Sequence, residues 1–77
     1  MREYLKSLRE ERGLSMQDVA DKIGISRQYY HLIELGERQK KMDITLVKRI
    51  ANVFGVPLET IIAYEILNLK KAVKISN

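Results

Sequence analysis

The chain of 77 residues has no cysteine, one proline and one histidine. Without cysteine there is no disulfide, no thiolate zinc site and no thiol chemistry, a usage compatible with a reducing cytosol. The single histidine has no second His, Cys or suitable carboxylate at ligand spacing, so no metal role is expected. There is no Gly-rich phosphate loop and no convincing acid–base pair. An enzyme is therefore not expected, and no catalytic residue and no cofactor is assigned. No run of about 18 apolar residues is present, so no membrane span is expected. The opening stretch MREYLKSLREERG lacks an apolar signal core, so no export signal is expected either. No strand pattern, repeat or low-complexity segment interrupts the chain.

What is present reads as one small helical domain, with a thin core that gains from an oligomer. The four glycines stand at 13, 24, 36 and 55, each where an apolar period stops, as helix C-terminal glycines do. A first helix is expected from about Arg2 to Arg12, with Tyr4, Leu5 and Leu8 on one face. A second starts after Ser15, with Asp18 completing a capping box. A third follows Ser26, a good N-cap, and runs to about Leu35. A polar basic loop, GERQKKMD, spans 36–43. Asp43 then caps a fourth helix whose expected buried face is Ile44, Val47, Ile50, Ala51 and Phe54. A fifth begins near Pro57, a residue suited to a helix's first turn, and no turn signal follows between Leu58 and Ile75.

Residues 16–36, MQDVADKIGISRQYYHLIELG, are the most informative stretch. Val19, Ile23, Ile25, Tyr30 and Ile33 are its apolar positions, Ala20 is a small contact residue, and Gly24 sits where the chain must bend. This spacing lets one short helix pack across another and leaves the outward face of the second polar, with Arg27, Gln28 and His31. That is the plan of a helix-turn-helix, whose second helix enters the DNA major groove. A net charge of +4 and a pI near 9.5 favour a polyanionic partner.

Over roughly Leu5 to Ile62 the chain resembles the Cro/cI-repressor-like helix-turn-helix family, often called the Xre family. The resemblance is carried by LREERGLS before the second helix, Val19-Ala20, Gly24-Ile25-Ser26, IELG at 33–36 and RIANVFGVPLETI, all in register. It implies an all-α, five-helix lambda-repressor-like DNA-binding domain over 1–62, here with an extended C-terminal helix over 63–77. Such domains act as dimers on palindromic operators. The resemblance also implies a cytoplasmic protein, bacterial or phage-encoded, whose partner is double-stranded DNA. In the family, positions matching Arg9 and Glu34 often form an ion pair between the first helix and the end of the third; otherwise these are two exposed charges. The chain departs from the family in two places. Met16 stands where many members have Gln, with Gln17 one step later, and the loop after Gly36 is about two residues longer and lacks its usual Pro.

Base contacts are expected from Arg27 and Gln28, since Arg can grip guanine and Gln adenine in bidentate fashion, with His31 and Leu32 beside them. Each also reads as part of an ordinary solvated face. Phosphate contacts are expected from Gln17, Ser26, Tyr29, Arg38, Lys40 and Lys41. Tyr29 is equally an aromatic closing the flank of the third helix, and for the three loop cations the bland alternative is a solvated loop tip. Ile62, Ile66, Leu69 and Val73 are spaced 4, 3 and 4, a short heptad-like seam. It either joins two chains in a homodimer or folds back on its own core. Lys70, Lys71 and Lys74 read as a solvated face. The function that follows is a sequence-specific transcriptional regulator, a repressor acting as a dimer. The alternative is an antitoxin-like or restriction-modification controller protein, in which the same fold also binds a protein partner.

Overall fold

The computed structural model describes the backbone of residues 1–75 and the side chains of residues 1–69. Within these residues the chain is all α-helical: α1 Glu3–Glu11, α2 Met16–Ile23, α3 Arg27–Leu35, α4 Ile44–Phe54 and α5 Leu58–Ile75. No single helix among them is long and apolar enough to cross a membrane.

Local chemistry sets most boundaries. Ser15 Oγ accepts from Asp18 N at 3.0 Å while Ser15 N donates to Asp18 Oδ2 at 2.9 Å, a reciprocal box that satisfies two backbone donors at the start of α2. The Ser15 backbone N–H, with the Ser15 side chain beside it, favours the charged form and holds the Asp18 carboxyl below its ordinary value. The box is therefore intact above the usual carboxylate range and weakens as pH falls through the lowered value. Ser26 caps α3 and Asp43 caps α4 in the same N-cap manner, accepting from Tyr29 N and Leu46 N. Gly24, Gly36 and Gly55 end α2, α3 and α4 in the left-handed region.

The core is one cluster fed by every helix: Leu5 from α1, Val19, Ala20 and Ile23 from α2, Tyr30 and Ile33 from α3, Leu46, Val47, Ile50, Ala51 and Phe54 from α4, and Ile61 from α5. Helix α2 packs across α3 and against α4, α4 lies on α5, and α1 lies on α3. The expected inner face of α4 needs one correction. Ile44 is 67% exposed and Leu46 is buried in its place. At about 100° per residue the buried stripe of α4 centres between Leu46 and Ala51. Ile44, in the first turn, falls at its outer edge. A second correction concerns Arg2. It precedes α1 as its N-cap residue rather than opening the helix, and it is buried to 1% exposure.

Two substitutions test the packing of α2 on α3. Ala20 is fully buried, so Ala20→Leu is expected to lose about 1–3 kcal/mol by overpacking. Gly24 has φ +88 with no atom within 4 Å of a built Cβ, so Gly24→Val meets backbone strain alone, about 1–2 kcal/mol. Thermal denaturation followed by circular dichroism measures both, and wild-type melting for either would contradict the packing described.

Candidate nucleic-acid interface

Helix α3 turns Tyr30, Ile33 and Glu34 inward. The opposite arc carries Arg27, Gln28 and His31, all exposed, with Leu32 half-buried at its edge. By helical geometry Gln28 lies most nearly opposite the buried stripe, and Arg27 and His31 share its exposed side. Ser26 is exposed at the N-terminus of α3; its oxygen serves the cap, which leaves the hydroxyl proton free to donate. Gln17 is exposed on α2, where its Nε2 donates to Asp21 Oδ1 at 2.8 Å. It therefore spends one amide donor inside its own helix.

The loop of residues 36–43 is pinned rather than slack. Gln39 sits in the left-handed region at φ 56, the one non-glycine residue among those described to do so. That conformation is unfavourable for a residue with a Cβ and persists only when its surroundings over-determine it. Here Gln39 Nε2 donates to Tyr29 Oη at 3.0 Å and its Oε1 accepts from Asp43 N at 3.2 Å. The side chain thus ties α3 to the start of α4. Tyr29 is half-buried; it closes the flank of α3 and keeps a hydroxyl proton to donate outward. Arg38, Lys40 and Lys41 are exposed around the pinned residue.

Behind α3 lie two buried ion pairs of the same design. Arg9 Nε donates to Glu34 Oε2 at 2.8 Å and its second terminal nitrogen donates to Glu34 Oε1 at 3.3 Å. This bidentate link holds the end of α3 to α1, and the carboxylate raises the Arg9 pKa above its ordinary value. Arg2 makes the second pair. Its Nε donates to Glu65 Oε2 at 2.8 Å and its Nη2 to Glu65 Oε1 at 3.1 Å. Tyr4 donates its hydroxyl to Glu65 Oε2 and stacks on Tyr64 with ring centroids 4.7 Å apart. Burial, reinforced by the nearby carboxylates of Glu65 and Glu34, pushes the Tyr4 and Tyr30 phenols well above the ordinary phenol range. The Tyr30 hydroxyl is buried with no hydrogen-bond partner.

Arginines also close helix ends across the core. Arg49 donates to Ile23 O at the end of α2, Arg12 to Phe54 O at the end of α4, and Arg2 to Ile33 O near the end of α3. Each puts positive charge where a helix dipole is negative. Part of the chain's basic excess thus braces its own helix ends, and the cations beside the outward arc of α3 are Arg27, Arg38, Lys40 and Lys41. Sequence reasoning missed Arg2, Gln39 and Glu65. An arginine beside the N-terminus and a glutamate on a long helix give no signal that they meet across 63 positions, and Gln is not a residue type that marks a left-handed turn.

Among the side chains described on α5, Ile62 is half-buried on the core, while Ile66 and Leu69 are 48% and 40% exposed. The helix runs without a break to Ile75. The side chains of Val73, Lys70, Lys71 and Lys74 lie outside those described.

Two short helices crossed at a left-handed glycine, with the second capped, polar outward and braced from behind, define a helix-turn-helix module. The helix-turn-helix family model matches residues 5–61, and the chain belongs to that family, in its Cro/cI-repressor-like (Xre) branch. It is 37% identical over 65 residues to an uncharacterized HTH-type transcriptional regulator of Methanocaldococcus jannaschii, covering 84% of this chain and 96% of that protein. It is 36% identical over 63 residues to the uncharacterized HTH-type transcriptional regulator YqaE of Bacillus subtilis, covering 82% of this chain and 53% of YqaE. It is 29% identical over 70 residues to the cryptic phage CTXphi transcriptional repressor RstR of Vibrio cholerae, covering 91% of this chain. The chain spans 53% of the length of the Bacillus relative and 61% of the Vibrio one.

Proposed function

We propose that this protein is a sequence-specific double-stranded-DNA-binding transcriptional regulator, a repressor that acts as a homodimer on a palindromic operator. The observation that carries the reading is the exposed polar arc Arg27, Gln28 and His31 on a capped helix, flanked by the exposed cations Arg38, Lys40 and Lys41. Gln28, with Arg27, reads base edges in the major groove, where bidentate pairing distinguishes one base from another; His31 and Leu32 line the same groove. Ser26, Tyr29, Gln17 and the loop cations take phosphates and set the register. Residues 1–62 form the reading unit, and the stretch 63–77, together with Ile62 at the end of that unit, supplies the contact between copies through Ile62, Ile66, Leu69 and Val73. The repressor assignment is supported by similarity to RstR, which is named as one.

Selection of bound sites from random DNA reports sequence, palindromy and half-site spacing together. On the selected site, Gln28→Ala is expected to weaken binding by about 1–3 kcal/mol and relax preference at one position. Lys40→Ala is expected to weaken all sequences alike and to flatten the log K against log salt slope by about one unit. An unchanged ranking of DNA sequences after Gln28→Ala would remove α3 from the major groove.

A further inference from the structure

We propose that Arg2 is a positioning residue for the DNA-facing loop 36–43, and that Glu65 on α5 holds it in that role. The inference rests on the reading of that loop as a phosphate-binding element. A guanidinium has five N–H donors in a rigid fork, and here all five are used. Two bind the Glu65 carboxylate. The other three reach main-chain carbonyls: Ile33 O at 2.7 Å, Arg38 O at 3.2 Å and Gln39 O. The Arg2 backbone N donates to Glu34 O at 2.7 Å, so the same residue is also stitched to the end of α3.

Arg2 is therefore the point where three things meet: α5, the C-terminus of α3, and the two loop residues on which the exposed loop cations depend. Arg38 carries one of those cations itself. Gln39 is the residue held at φ 56, and Lys40 and Lys41 follow it directly. Carbonyls clamped on two consecutive residues fix the two peptide planes on either side of Gln39, and with them the direction in which the basic side chains leave the loop. The charge of Arg2 itself is buried and neutralised by Glu65, so it cannot reach a phosphate. Its contribution to DNA binding runs through the loop. Glu65 is flanked on α5 by Ile66 and lies one helical turn before Leu69. Whatever covers those exposed side chains thus acts on the helix that anchors the clamp.

Lysine cannot reproduce the fork. Arg2→Lys keeps the charge but offers three donors from one nitrogen, so at least two of the five hydrogen bonds are lost. With the wild-type protein first shown to bind its selected site, Arg2→Lys is expected to lower affinity about tenfold for every DNA sequence. The base ranking should be unchanged and the salt slope lowered by about one to two units, as loop cations leave the phosphates. The decisive measurement is a double-mutant cycle with Lys40→Ala/Lys41→Ala, each affinity corrected for the folded fraction. If Arg2 acts through the loop, Arg2→Lys has little further effect once both lysines are gone. Full additivity, or an unchanged salt slope in the single variant, would make Arg2 a stability residue only and overturn the proposal. Should Arg2→Lys fail to fold, Glu65→Gln takes its place in the same cycle; it weakens the anchor while keeping an acceptor for Arg2. A wild-type protein that showed no sequence-dependent binding would instead overturn the DNA reading and leave the clamp geometry untouched.

Discussion

Glu34→Ala is expected to cost about 3–5 kcal/mol of folding stability, because it strips a buried ion pair of one partner and leaves the other uncompensated. A domain of this length has about 4–12 kcal/mol in total, so the loss is about a quarter of that stability or more, and at the lower end of the range the variant would be largely unfolded. The reason lies in the geometry behind α3. Arg9 spends its fork on the two Glu34 oxygens and on Leu14 O. Without the carboxylate, the guanidinium keeps Leu14 O and must recover water through a side chain that is only 11% exposed. The neighbouring Tyr30→Phe provides the contrast. Its hydroxyl is buried without a partner, so its removal is expected to be neutral or to stabilise by up to about 1 kcal/mol. Urea unfolding at neutral pH measures both. A loss below about 1 kcal/mol for Glu34→Ala would mean that the pair behaves like an exposed one.

The two ion pairs also show how far the sequence could be read. Capping is local chemistry: Ser15 with Asp18, Ser26, Asp43 and the glycines at 24, 36 and 55 act within a few residues of themselves. All of these ends fall where residue type alone puts them. The core positions of α2 and α3 follow from helical period, and Ile44 escaped because a period cannot say where the edge of a buried stripe lies in a first turn. Arg9 with Glu34 was visible only through family resemblance, since nothing in either residue's neighbourhood specifies a partner 25 positions away. Arg2 with Glu65 had no such help. Its burial depends on five acceptors contributed by α3, the loop and α5 together, and only the assembled backbone brings them to one point. For the same reason the loop reads in the sequence only as a carrier of three cations expected to meet phosphate, whereas its central residue is held at φ 56 and tied at both ends.

Ile66→Glu and Leu69→Glu are each expected to convert a dimer into monomers and to lower affinity for a palindromic site by about 10²–10⁴-fold. That is the range lost when two-site engagement becomes one-site engagement. Helix α5 uses Leu58, Ile61, Ile62 and Glu65 on its own domain, which leaves Ile66 and Leu69 half in water. Helix α5 runs without a turn from Leu58 to Ile75. A second copy laid along the same face would cover these side chains symmetrically, as a two-fold contact requires. Two-site engagement then requires the two α3 helices to stand about 34–36 Å apart, one turn of the duplex. A glutamate at either position would place a charge in the contact without disturbing the monomer, so melting of the isolated domain should change little. Analytical ultracentrifugation at micromolar concentration separates the cases. Dimeric wild type with monomeric, well-folded variants is the expected result. A wild-type monomer would exclude a dimer formed ahead of DNA, and variants that melted early yet kept the wild-type oligomeric state would assign the seam to the monomer's own core.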